Sequence, residues 1–293
     1  MGYDQRRMIS GSAVGSDGLV SVPAWLYYTF DYLNDSVNPN VFAPDAKAAE
    51  LGLLGELSSH NTYGLLSAGV TKWGAGCLAP EGDIFYENGL PSDILSGDRT
   101  IEFWAYVGPD GQEYFNPFVH LSSSYGSTNG DHVGVQGGSL YFNNGNQGDI
   151  DVNFPTNEWF HVACVVRGPA RHVWINENLL QTSFQMTLGN ANVAVFVGGY
   201  GNNAAPWGQG EGDYFIDDLR ITKAALYWPG GSVPDLTGPH GATAKYKPAP
   251  FSTAPAGTML GGYLDGAGMC DFYEVFSDGL GGYYSELVSE DNC

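Results

Sequence analysis

Three groups of residues in this chain have types and spacings suited to chemistry, and the first is acidic. Glu81-Gly-Asp83-Ile-Phe-Tyr-Glu87 and Asp149-Ile-Asp151 set carboxylates at short intervals on stretches of strand character. Alternate strand positions share a face, and two carboxyl groups about 5–9.5 Å apart can hydrolyse a glycosidic bond as acid and nucleophile or base. Glu81 and Glu87 fail that requirement, because the extended chain between them spans roughly 20 Å. Asp149 and Asp151 alternate correctly but have no glutamate partner nearby.

The second group is the adjacent pair Asp217-Asp218. Ile216 and Leu219, which flank it, are three apart, so the two-residue alternation breaks and a bulge is expected at the aspartates. Hard carboxylate oxygens suit calcium; the plainer alternative is that either acid pairs with Arg220 or caps a turn. The third group lies in Gly198–Asp213. There Tyr200 and Trp207 offer flat apolar faces for sugar C–H groups, and Asn202, Asn203, Gln209 and Asp213 can hydrogen-bond hydroxyls. Ser122–Asp131, with Tyr125 and Asn129, is a second candidate of the same kind. Against this stands the reading that these aromatics close one end of the fold or meet a neighbouring subunit.

Other reactive signatures are missing: the sequence has no H-E-x-x-H, no G-x-S-x-G and no G-x-x-x-x-G-K. The histidines, His60, His120, His132, His161, His172 and His240, are scattered, and His161 reads as a packed strand residue. Catalysis is therefore not expected. No cysteine pair has zinc-ligand spacing. Cys164 falls inside an apolar strand, and Cys270 and Cys293 bracket a C-terminal hairpin as a candidate disulfide.

The elements that would position these residues are strands. In Thr100–Val107, Ile101, Phe103, Ala105 and Val107 share one face while Glu102, Trp104 and Tyr106 share the other. Trp159–Val166 groups Phe160, Val162, Cys164 and Val166 in the same way, and His172–Ile175 and Val193–Val197 continue the series. Aromatics on both faces, with glycine-rich turns between strands, predict two packed antiparallel sheets. With 42 glycines, aromatics at 14% and charged residues at only 15%, the composition fits such a fold and not a disordered chain. Asp45–Leu57 is the one candidate helix, weakened by Gly52 and Gly55. Residues 1–23 read as an assembly arm, 24–235 as the sandwich, 236–256 as an extended linker, and 257–293 as a small β-module with strands Asp271–Ser277 and Tyr283–Ser289.

A net charge of -21 repels phosphate backbones, which excludes nucleic acid as a partner. The N-terminal residues lack the apolar core of a secretory signal, and no apolar run reaches about 18 residues, so no membrane insertion is expected.

Three segments in order, Thr100–Val107 (TIEFWAYV), Glu158–Leu180 (EWFHVACVVRGPARHVWINENLL) and Phe215–Tyr227 (FIDDLRITKAALY), resemble the laminin G-like branch of the concanavalin A-like lectin/glucanase superfamily. The third is most similar to versions carried by tailed-bacteriophage virion proteins, and the C-terminal GTML…YEVFSDGLGGYYSELVSEDNC resembles a small module near the ends of such proteins. The resemblance implies an all-β, antiparallel jelly-roll sandwich with a C-terminal β-hairpin module. It also implies frequent glycan binding and, in some members, a structural calcium. It places the Asp217–Asp218 strand beside the first strand of the domain, which makes Asp31, Asn34, Asp217 and Asp218 a candidate calcium set. No other cofactor is called for.

The expected protein is a non-enzymatic structural and adhesion component on the surface of a virion, made in the host cytoplasm and carried on the released particle. It would be a homo-oligomer among other virion proteins, with a host-surface glycan as candidate ligand. A tail fibre or adhesin would display Tyr200 and Trp207; a capsid decoration protein would dispense with glycan. A glycan-degrading depolymerase is the enzymatic alternative.

Overall fold

A computed structural model describes residues 20–30, 41–42, 57–59, 65–67, 70–79, 85–90, 97–109, 111, 116–122, 130–144, 147–167, 170–184, 193–198, 213–228, 232–241, 243–246, 259–264, 269–277 and 283–292. Strands are numbered along the chain. One sheet runs, in spatial order, Gln147–Val152 (β12), Ser139–Asn144 (β11), Gly130–Gln136 (β10), Asn116–Ser122 (β9), Val193–Val197 (β16), Phe85–Leu90 (β7), Leu57–Ser59 (β4) and Val41–Phe42 (β3). The other runs Asn178–Phe184 (β15), Ala170–Ile175 (β14), Trp159–Arg167 (β13), Arg99–Val107 (β8), Tyr214–Thr222 (β17), Cys77–Ala79 (β6) and Leu65–Ser67 (β5), with Leu26–Tyr28 (β2) added to β17. Val20–Pro23 (β1) and Thr243–Tyr246 (β18) form a two-stranded ribbon. Met259–Leu264 (β19), Met269–Ser277 (β20) and Tyr283–Asn292 (β21) form a separate three-stranded sheet. Every pairing is antiparallel. Among the described residues there is no α-helix and no helix able to cross a membrane.

The alternation read from sequence sets the faces. Ile101, Phe103, Ala105 and Val107 of β8 and Phe160, Val162, Cys164 and Val166 of β13 point inward, against Phe118, Val119, Leu121, Val133 and Val135 of the opposing sheet. Each large apolar side chain sealed there contributes about 1.5–3 kcal/mol.

The opposite face of the second sheet is covered as well. Ala224–Tyr227 and Ala244 pack on Ala163, Val165 and Trp174, so the chain after β17 lies across this face as a strap. Thr100 fastens its start: the hydroxyl donates to the Ala224 carbonyl at 2.7 Å and accepts the Leu226 N–H at 3.0 Å. The segments read as arm and linker meet where they are described, with Val20 opposite Tyr246 and Pro23 opposite Thr243. An apolar outer face must be shielded from water, and the proline- and glycine-rich composition that suggests a free linker makes this covering segment irregular without making it detached.

Of the candidate helix, residues 45–56 lie outside the described residues, and Leu57 begins β4. Cys270 lies on β20 opposite Asp291, and Cys293 is outside the described residues. Cys77 and Cys164 are buried outside any disulfide, and the Cys77 thiol donates to the Val70 carbonyl at 2.7 Å.

Candidate functional site

Register arranges the outer face of the second sheet into rows that cross β13, β8 and β17. Trp159, Tyr106 and Phe215 form one row, His161, Trp104 and Asp217 the next, and Ala163, Glu102 and Arg220 the third. The strap covers the third row and part of the second; the first emerges at the end of the sandwich.

The first row is an aromatic ledge. Tyr106 stands 5.9 Å from Trp159 and 5.7 Å from Phe215 between ring centroids, and all three side chains are half-buried. Exposed Asn157, Glu158 and Asp213 border it. Asn157 is tied to β8 by its N–H to the Val107 carbonyl at 2.8 Å, and Asp213 by its carbonyl to the Gly108 N–H at 2.6 Å. A Cβ on Gly108 would lie 2.7 Å from that of Asp213, so only glycine permits this approach. Tyr214, 2% exposed, donates its hydroxyl to the Gly198 carbonyl at 3.2 Å. Asp213 is thereby anchored beside the ledge, and Gly198 is held across the core at the same end of the sandwich.

Beneath the strap lies a sealed polar cluster. Arg220 donates through Nε to Glu102 Oε1 at 2.8 Å and holds the same oxygen through a terminal nitrogen at 2.8 Å. Tyr227 of the strap donates to Glu102 Oε2 at 2.7 Å. Nε2 of His161 and Nε2 of His240 are 2.8 Å apart, and they lie 3.5 and 3.6 Å from Glu102 Oε2. Asn176, at the left-handed corner of the β14–β15 turn (φ 54°), locks His161 in place. Its side-chain oxygen accepts the His161 N–H and its own N–H donates to the His161 carbonyl, each at 2.9 Å. His161 near the start of β13 and Asn176 just after β14 are thus a single structural clamp.

Burial by itself would raise the Glu102 pKa, but Arg220, His240 and the hydrogen bond from His161 outweigh it and hold the carboxyl far below its usual range. Burial lowers His161 to about 4, with Glu102 opposing. For His240, burial also lowers, yet Glu102 and Asp218 prevail and its pKa is raised.

The expected bulge is present: the β17–β8 register shifts between Asp217 and Arg220, and Asp218 has φ 54°. It marks the point where the neighbour of β17 changes from β6, paired at Ile216, to β2, paired at Leu219–Ile221. Each acid serves one side of that change. Asp217 Oδ2 accepts the N–H groups of Lys72 and Trp73, both at 3.0 Å. Asp218 accepts the Tyr27 hydroxyl at 2.7 Å and the His240 N–H at 2.6 Å. Arg220 turns to Glu102 instead. Asp31 and Asn34 lie outside the described residues, while Asp217 and Asp218 each accept hydrogen bonds from within the fold.

Of the candidate sugar ligands, Asp213 is described and exposed; Tyr200, Asn202, Asn203, Trp207, Gln209, Tyr125 and Asn129 lie outside the described residues. The flanking registers separate the two segments. Val197 pairs with Val119 and Ala194 with Ser122, so the 198–213 segment leaves one end of the sandwich and the segment after Ser122 leaves the other. The ledge and the Glu102–His161–His240 cluster both escape a linear reading, since each needs the register of three strands. The available signal was Glu102, a charged residue in mid-strand between Ile101 and Phe103.

Residues 88–229 match the family model described as the concanavalin A-like lectin/glucanases superfamily, so the chain carries a domain of that superfamily. No curated protein matches the chain. Similar solved structures include the botulinum neurotoxin serotype D binding domain, with 15% identity, a TM-score of 0.49 and coverage of 70% of this chain and 49% of that one. Another is a Trypanosoma rangeli sialidase, at 9% identity and TM-score 0.49, covering 73% of this chain and 32% of that one. The chain thus spans about half the length of the toxin domain (49%) and a third of the sialidase (32%).

Proposed function

We propose that the protein binds carbohydrate without cleaving it, on the ledge of Trp159, Tyr106 and Phe215, with Tyr200 and Trp207, read from the sequence, as further contacts. The ledge carries the reading: three adjacent half-buried rings give an apolar platform, and exposed Asp213 and Glu158 beside it supply hydroxyl acceptors. The lectin/glucanase family match supports sugar as the ligand class. Glu102, Asp217 and Asp218 are committed to internal donors, so none of these three can serve as catalytic acid or base on a sugar at the ledge. The likeness of Phe215–Tyr227 to segments of tailed-bacteriophage proteins supports our reading of a virion-surface protein, in an oligomer assembled with other virion proteins.

A glycan array probed with the full chain tests the ligand. Trp159→Ala and Trp207→Ala should each weaken the strongest signal about tenfold, since an aromatic face is worth on the order of 1.4 kcal/mol. Silence on glycans of bacterial surfaces, or signals untouched by both changes, would overturn the binding reading. Reducing sugar released from a bound polysaccharide would overturn the non-cleaving one. Gold-labelled antibody against the protein should decorate intact particles; bare particles would refute the placement.

A further inference from the structure

We propose that Glu102, His161 and His240 form a binding site for a divalent transition-metal ion of the zinc class, which clamps the strap to the sheet. The three facing atoms, Glu102 Oε2 and the two Nε2 atoms, form a triangle with sides of 2.8, 3.5 and 3.6 Å. Its circumradius is about 1.9 Å, so an ion roughly 0.7 Å out of the plane lies at the ~2.0–2.1 Å that zinc keeps to nitrogen and carboxylate oxygen. In a tetrahedral site the two nitrogens would stand ~3.3 Å apart, which asks the imidazoles to separate by about half an ångström as the ion replaces the proton between them.

Charge points the same way. Glu102, Asp217 and Asp218, each no more than 1% exposed, share these two rows and the bulge with one buried guanidinium, Arg220. Three carboxylates against one guanidinium leave the cluster net negative, so a divalent ion taking the place of the proton between the imidazoles is favoured electrostatically. Lys72 stays at the margin, its ammonium 3.9 Å above the Trp104 ring. The ligand set is nitrogen-rich, which favours zinc-class ions over calcium or magnesium.

The shell around the ligands is built on one side. His240 Nδ1 faces the Asp218 carbonyl at 2.7 Å and its carboxylate at 3.0 Å, the carboxylate–histidine support common at metal sites. His161 Nδ1 is buried and has no hydrogen-bond partner, so affinity should fall about 10–100-fold below that of a fully supported site. The ligands come from β8, β13 and the strap, so the ion would close the covering segment onto the sheet.

The full chain, stripped with chelator and dialysed, is titrated with zinc chloride by calorimetry and with cobalt(II) by visible absorption. One ion per chain, an intense d–d spectrum and a raised melting midpoint are expected. His240→Gln should lose at least tenfold in affinity and all of the midpoint shift, whereas Glu177→Gln, in an exposed turn, should retain both. Folded wild-type protein that binds no stoichiometric ion, or binding unchanged in His240→Gln, would overturn the site. If His240→Gln does not fold, the wild-type cobalt spectrum decides, since a weak octahedral spectrum refutes the proposed ligands.

Discussion

Arg220→Met separates the ion pair under the strap from the packing around it. The guanidinium makes two 2.8 Å contacts to Glu102 Oε1, and the side chains are 6% and 0% exposed, so neither partner can recover its interactions from water. Removing one member of such a pair costs about 3–5 kcal/mol, mostly because the remaining charge stays buried. Arg220 also donates to the His240 and Gly241 carbonyls at 2.7 and 3.2 Å, adding about 0.5–1.5 kcal/mol for each bond lost. The single variant should therefore lose about 4–8 kcal/mol. Adding Glu102→Gln removes the stranded charge and should return about 2 kcal/mol, making the two substitutions strongly non-additive. Urea unfolding of the four proteins at pH 7 in the presence of chelator, followed by tryptophan fluorescence, gives the cycle. A loss below about 1 kcal/mol for Arg220→Met, or costs that add to within about 0.5 kcal/mol, would refute the reasoning.

Two further outcomes follow from the same packing. Thr100→Val deletes a buried hydroxyl with two strap partners, and should cost about 1–3 kcal/mol and speed hydrogen exchange at the Leu226 amide; unchanged protection there would contradict the fastening role. Burial, with the charge of His132 adding to it, lowers His120 to about 3 from 6.5, so between these values the unfolded chain takes up a proton that the folded one refuses. Stability should then fall as pH drops from about 7 toward 3, by up to a few kcal/mol for this group, and His120→Gln should flatten that slope; an identical slope in the variant would count against it.

The sheets were legible because alternation is a local property. Ile101, Phe103, Ala105 and Val107 face inward as their spacing requires, and the three-residue gap from Ile216 to Leu219 marks a real bulge. What the spacing did not reveal is why the bulge carries two acids: Asp217 and Asp218 each satisfy a different neighbour of β17, which only the register displays. His240 was hidden for a related reason. It sits among prolines and glycines without periodicity, and its partners Glu102 and His161 are far away in sequence. The aromatic ledge was half legible, since alternation put Tyr106 on the face opposite Ile101 and Phe103, but Trp159 and Phe215 join it only through pairing.

The β1–β18 ribbon determines how the sandwich would respond to being pulled. Val20 and Tyr246 are opposite one another, so the chain before β1 and the chain after β18 depart from the same end of the ribbon. Tension between those two flanks peels the rungs apart one after another, as in a zipper, where shear would load them all at once. The ribbon is therefore a mechanical fuse: it opens at low force and pays out slack before strain reaches β2 and β17.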